Sequence, residues 1–139
     1  MTTPLTGHCL CGNVTYRIDA EPFAQALCHC ADCQRQTGSP FSVVVGVPTQ
    51  AFSVEGDTLS SFDTTGAVHG GTTHRHFCSN CGSPIYSAVD AVPDAVFVKA
   101  GTLDDASSLA PNMEVFTRTA QPWSPRLAEA AGFETMPQG

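Results

Sequence analysis

The stretch LCHCADCQ places Cys28, Cys30 and Cys33 within six positions of one another. Four further thiols stand in two pairs: Cys9 and Cys11 as C-x-C, and Cys78 and Cys81 as C-x-x-C in FCSNCGSP. Seven is an odd number that disulfides alone cannot consume, and thiols at these spacings are metal ligands. In an extended segment residues i and i+2 share a face, so each C-x-C can present both sulfurs to one ion. Gly82, just past the C-x-x-C turn, can take the positive φ that lets backbone amides approach the sulfurs. Cys9, Cys11, Cys78 and Cys81 together make a tetrahedral Cys₄ zinc site that ties the N-terminal strand to a hairpin about seventy residues later, a structural role. Cys28, Cys30 and Cys33 then remain as three thiolates, and three protein ligands with an open position are the pattern of a catalytic zinc. Spacing points to metal but leaves the partition open, since the trio could recruit Cys78 or His76 and close a second structural site. Neither ferredoxin spacing occurs, which argues against iron–sulfur binding.

Other residues are weaker candidates. His74, His76 and Cys78 alternate along one face of an expected strand, so a histidine could approach the metal, although an exposed strand face is the commoner outcome. His29, between two ligand cysteines, points away from them and suits packing or support of the ligands. Arg35 and Gln36, just past the trio, could meet an anionic substrate or simply be solvated. Lys99 in VFVKAG is expected at a solvated strand end and Trp123 in the core, neither with a catalytic role. No G-x-S-x-G elbow, P-loop or dinucleotide-binding glycine pattern is present, so serine hydrolase, nucleotide and nicotinamide chemistry lack support.

The elements that must position these residues are mostly strands. Val14, Tyr16 and Ile18 alternate with Thr15 and Arg17, FSVVVGV (41–47) and AVFVKAG (95–101) read as buried strands, and THRHFC and PIYSAV frame the last cysteine pair in extended segments. A turn or short helix follows Cys30, and SPRLAEAAG predicts a helix with Ser124 as N-cap, Pro125 at its first turn and Gly132 as its stop. The fold class is therefore mainly β, with few short helices. At 139 residues the chain is expected to form a single domain, 1–139, in which a metal cross-link adds much to stability. The formal charge of −7 has the wrong sign for a nucleic-acid or anionic-membrane partner. The first residues lack a basic and apolar leader, no apolar run approaches bilayer length, and the free thiols suit a reducing compartment, so a cytoplasmic location is expected.

Taken in order, GHCLCGNVTYRI, CHCADCQRQTGSPF, FCSNCGSPIY, VKAGTLDD and EVFTRTAQPW resemble the glutathione-dependent formaldehyde-activating enzyme family, over about residues 7–123, with the tail 124–139 carrying no signature. The resemblance implies zinc-bound, β-tent-like antiparallel sheets and two Zn²⁺ per chain. It assigns Cys9, Cys11, Cys78 and Cys81 to the structural zinc and Cys28, Cys30 and Cys33 to the catalytic one. It also implies carbon–sulfur lyase chemistry on an adduct of a small thiol, such as glutathione, with a small aldehyde such as formaldehyde. Three thiolates around Zn²⁺ carry a net charge of −1, which suits thiol chemistry better than strong carbonyl polarisation. The proton acceptor could be His76, solvent or a carboxylate. The rival reading is a non-catalytic zinc-stabilised module that binds a protein partner.

Overall fold

Alternation around Tyr16 resolves into a strand whose Tyr16 and Ile18 are buried while Thr15 and Arg17 face water. The computed structural model describes residues 3–65 and 71–136. Its strands in chain order are β1 (Leu5–His8), β2 (Thr15–Ile18), β3 (Ala24–Cys28), β4 (Ser42–Pro48), β5 (Phe52–Glu55), β6 (Leu59–Thr65), β7 (Thr72–Cys78), β8 (Pro84–Val89), β9 (Ala95–Lys99), β10 (Met113–Val115) and β11 (Ala131–Gly132). One α-helix, α1 (Ala31–Thr37), stands among the described residues, and none of their helices is long and apolar enough to cross a membrane. The mainly β fold expected from the sequence is thus the observed one.

Two sheets form. The smaller is antiparallel, in the order β1-β2-β5, and the larger runs β11-β10-β3-β4-β9-β8-β7-β6. The larger sheet is antiparallel except at one end, where β10 runs parallel to both β3 and β11. Val45, Val47, Val96, Val98 and Tyr86 on one of its faces share a core with Val14, Tyr16 and Ile18. Phe52 joins the sheets, its ring 5.6 Å from that of Tyr16 and 4.7 Å from that of Tyr86. Val45, Val47 and Val98 are fully buried, and each such side chain contributes about 1.5–3 kcal/mol.

The opposite face of the large sheet is different in kind. Directly paired residues share a face, so the pairs Cys28–Ser42, Val44–Lys99, Ser87–Phe97 and Arg75–Ser87 put a thiol, two hydroxyls and two cations on one side. Helix α1 contacts this side, begins at its N-cap Cys30 and stops at Gly38 in the left-handed conformation. Its last turn is closed by Gly38 N–H donating to the Gln34 carbonyl at 2.8 Å.

The helix expected over Ser124–Gly132 does not form. The Ser124 hydroxyl donates to the Pro125 carbonyl instead of capping a helix. Arg126 Nε and the Leu127 N–H both donate to the Glu114 carboxylate, at 2.8 and 3.3 Å, and Ala131–Gly132 pair with Met113–Glu114 as β11. Helix propensity is worth only tenths of a kcal/mol per residue, so hydrogen bonds to a buried carboxylate and a strand ladder outweigh it. Trp123, expected in the core, is 70% exposed.

Candidate metal centres

Two loops build the first cysteine cluster. After β1 the chain turns through Cys9 and Cys11 to Gly12, and after β7 it turns through Cys78 and Cys81 to Gly82. Both glycines sit in the left-handed region, at φ 84° and 83°, with their N–H groups closing onto the carbonyls of Cys9 and Cys78 at 3.1 and 2.7 Å. Side chains with a Cβ are strained at such angles, which explains glycine at both positions. Leu10 N–H donating to Ser83 Oγ at 3.0 Å ties one loop to the other. The sulfurs of Cys9 and Cys11 are 3.6 Å apart and those of Cys11 and Cys78 3.7 Å. A tetrahedral zinc with Zn–S of about 2.3 Å needs sulfurs about 3.8 Å apart, and all four ligand atoms lie within 4.8 Å of one another. All four thiols are free of disulfides. Cys81 is held down at about 5, chiefly by its hydrogen bond with Ser83, and Cys78 is lowered chiefly by Thr58, so hydroxyls support the anionic form.

Cys28, Cys30 and Cys33 form a second, separate cluster at the end of β3 and the start of α1, again with sulfurs within 4.8 Å. Cys30 Sγ accepts the Cys33 N–H at 3.3 Å, so the helix start itself fixes the spacing of these two thiols. Among the described residues no histidine, carboxylate or fourth thiol joins this cluster. Its donor set of three soft sulfurs suits zinc as well as the first cluster does.

The strongest feature of this second cluster is what surrounds it. Lys99 is only 6% exposed and donates to Ser42 Oγ at 2.7 Å, reversing the expectation of a solvated strand end. Arg75, a residue that sequence alone did not single out, directs Nη1 to Cys33 Sγ at 3.7 Å and to Gln36 Oε1 at 3.1 Å. Cys33 is held well below the ordinary thiol range, first by hydrogen bonds from Cys28 and Cys30 and then by the charges of Lys99 and Arg75. Cys28 is pushed up, chiefly by its hydrogen bonds with Cys30 and Cys33, because three adjacent thiols without a cation cannot all ionise. Burial pulls the Lys99 ammonium down while Cys33 opposes that. Two buried cations are costly unless anions face them, and here the anions are the thiolates.

His29 points away from the sulfurs, as expected. It is fully buried, contacts Glu114 Oε1 through Nε2 at 2.8 Å and meets the Phe41 ring edge-on. Its carbonyl accepts from Gln34 Nε2 and Thr119 Oγ1, so the loop between Cys28 and Cys30 is held from three sides. Phe133 and Met136 from the C-terminal segment pack against Cys28, Cys33, Val115 and Phe116.

His74 and His76 are not brought to either cluster. Strand β7 keeps an even register with β6 through Cys78, and the shift between His76 and Phe77 lies in its pairing with β8, so the spacing holds but neither histidine enters the four-thiol group. His74 lies between Asp63 and Asp90, each at 2.8 Å, and both raise it, Asp90 first. His76 stacks on Tyr86 on the core side, opposite Arg75, and burial lowers it. It therefore does not stand where a proton acceptor for the trio would stand. Arg35 is exposed on α1 and Gln36 half-buried against Arg75.

A β-sheet frame presenting one four-thiol and one three-thiol cluster defines a class of cysteine-rich proteins whose thiols are placed so that they could hold metal ions. Within that class the chain belongs to the glutathione-dependent formaldehyde-activating enzyme family, whose model matches residues 4–119. It is 29% identical over 85 residues to a protein of Emericella nidulans named "Putative glutathione-dependent formaldehyde-activating enzyme", covering 60% of this chain and 41% of that one. Proteins of Aspergillus flavus and Aspergillus oryzae with the same name are each 30% identical over 87 residues, covering 60% of this chain and 43% of theirs. The chain thus spans about two-fifths of the length of these curated relatives. A crystal structure of a Rhodobacter sphaeroides protein shares the fold, with a TM-score of 0.58 at 19% identity over 76% of this chain and 91% of that chain.

Proposed function

We propose that residues 1–139 act as a single zinc-dependent carbon–sulfur lyase domain on the adduct of a small thiol with a small aldehyde, similar to S-(hydroxymethyl)glutathione synthesis. Cys9, Cys11, Cys78 and Cys81 hold a structural zinc in this reading, and Cys28, Cys30 and Cys33 the catalytic one. The observation that carries it is the three-thiol cluster flanked by two buried cations, with no fourth protein ligand among the described residues. Family membership and the names of the relatives support glutathione and formaldehyde as the substrate pair. Uncrosslinked thiols suit the reducing cytoplasm.

Cys28, Cys30 and Cys33 would hold the zinc, which would supply positive charge favouring the deprotonated form of a substrate sulfur at neutral pH. The chain's own residues set the electrostatics around it. Three thiolates with a divalent ion come to −1, and Arg75 and Lys99 bring the buried ensemble to +1, which favours one more anionic sulfur. In the synthetic direction the thiol sulfur bonds to the aldehyde carbon and the thiol proton passes to the carbonyl oxygen; cleavage returns both. Lys99, fixed by Ser42, is the cation of this chain best suited to offset charge developing on that oxygen.

The test follows exchange between ¹³C-formaldehyde, glutathione and their adduct by NMR, with and without zinc-loaded protein. Acceleration over the uncatalysed exchange, lost in Cys30→Ser, is the expected result. No acceleration across a panel of small thiols and aldehydes would transfer the protein to the non-catalytic binding-module reading.

A further inference from the structure

In this acidic chain the six cations are not spread evenly. Arg17 and Arg126 are committed to Asp19 and Glu114 at 2.9 and 2.8 Å, and Lys99 is buried on Ser42. Arg75 has one carboxylate neighbour, Asp32 at 4.0 Å, and among the described residues no ion pair engages Arg35. Arg35 and Arg75 line the same cleft, about 460 Å³ in volume, between α1 and strands β6, at the sheet edge, and β7. Phe62, Phe77 and Pro84 form its apolar lining. Phe62 stands 67% exposed on an edge strand whose neighbours are serines, aspartate and threonines, so an aromatic ring there is left without the burial that would reward it. Arg75 is the wall shared with the metal centre, because the guanidinium that faces the cleft also reaches Cys33 Sγ at 3.7 Å.

We infer that this cleft binds the carboxylate-bearing end of the substrate thiol, with Arg35 as the counter-charge, Phe62 and Phe77 against its apolar part, and the sulfur directed past Arg75 to the trio. The volume lies within the range of small-molecule sites, and the pairing of cation with aromatic wall fits an organic acid better than inorganic phosphate. Asp32, at the same cleft, opposes a carboxylate, so removing its charge strengthens binding. A cavity of about 670 Å³ on the other side of α1, lined by Arg35, Arg118 and Trp123, is the competing position. Arg75's contact with Cys33 decides for the first cleft. This inference rests on the thiol reading of the trio, and the experiment separates the two.

S-methylglutathione, which has no free thiol, and its dimethyl ester are titrated into zinc-loaded protein while backbone amide shifts are followed by NMR. The acid is expected to move the Phe62 and Gly82 amides and to bind about fivefold more tightly than the ester. Arg35→Ala removes that preference, Asp32→Asn increases it, and Arg118→Ala leaves it unchanged. Shifts confined to Gly38, Thr119 and Ala120 with loss in Arg118→Ala, or equal binding of acid and ester, would overturn the inference. Phe62→Ser, an exposed change, is expected to weaken acid and ester alike, and an unchanged affinity for both would also count against it. A cleft that responds as expected while free glutathione leaves the spectrum of a Co²⁺-loaded trio unaltered supports the carboxylate assignment and sinks the thiol reading alone.

Discussion

Replacing one sulfur in each cluster separates their roles. Cys11 and Cys78 are 67 positions apart, and Cys9 and Cys78 are fully buried in the core shared by the two sheets. Cys30 and Cys33 are three positions apart, on one loop and helix start. Closing a flexible loop costs about (3/2)RT ln n, so a cross-link over the longer separation removes about 2–3 kcal/mol more from the unfolded ensemble. Metal-binding free energy at a site that exists only in the folded chain adds to this. Against a total stability of about 5–15 kcal/mol, Cys81→Ser is expected to unfold the protein or strip most of its stability. Cys30→Ser, at a half-buried position, should cost about 1 kcal/mol and leave the fold intact. Urea denaturation followed by circular dichroism, with metal content measured on each sample, gives both numbers. A Cys30→Ser midpoint as depressed as that of Cys81→Ser would refute the division of labour and the entropy argument together.

Three further outcomes are expected. Lys99→Met removes a buried cation beside the Cys33 thiolate and should raise that thiol, read as a shift to higher pH in the alkylation profile of Cys33 in metal-free protein; an unmoved profile would contradict the role given to Lys99. Glu114 is lowered overall: burial pushes it up, but hydrogen bonds from His29 and Arg126 more than reverse this. Its stabilisation is therefore present above the ordinary carboxylate pKa and lost as pH falls below about 4, so the gap in urea midpoint between the parent and Glu114→Gln should close over that window. Mild chelation should remove one of two zinc ions while the β-sheet dichroism persists, and harsher chelation the second together with the fold; elemental analysis run beside dichroism checks this, and a single cooperative loss of both would contradict it.

Much of this protein is written locally. The C-x-C and C-x-x-C spacings and the following glycines are short-range geometry, so the loops at Cys9 and Cys78 and the positive φ of Gly82 followed from a few residues. The alternation in residues 14–18 marked a strand through its period of two, and the short valine-rich apolar runs at 41–47 and 95–101 marked buried strands, signals that need no knowledge of the partner. The surroundings of the trio were not legible in this way. Lys99 is buried because β9 pairs with β4 in a register that brings Ser42 within 2.7 Å, and Arg75 reaches Cys33 because β7 lies beyond β8 in the same sheet. His76 stands at strand spacing from Cys78 yet stacks on Tyr86 of the neighbouring strand, and no local signal marks that choice. The tail 124–132 carries a helical pattern that Glu114, outside that window and 12 positions before Arg126, overrides through Arg126 and Leu127. Sequence determined which atoms can bind metal, since ligand type and spacing are local properties. Tertiary structure decided the charge around them, since that depends on strand order and register, which bring together residues distant in the chain.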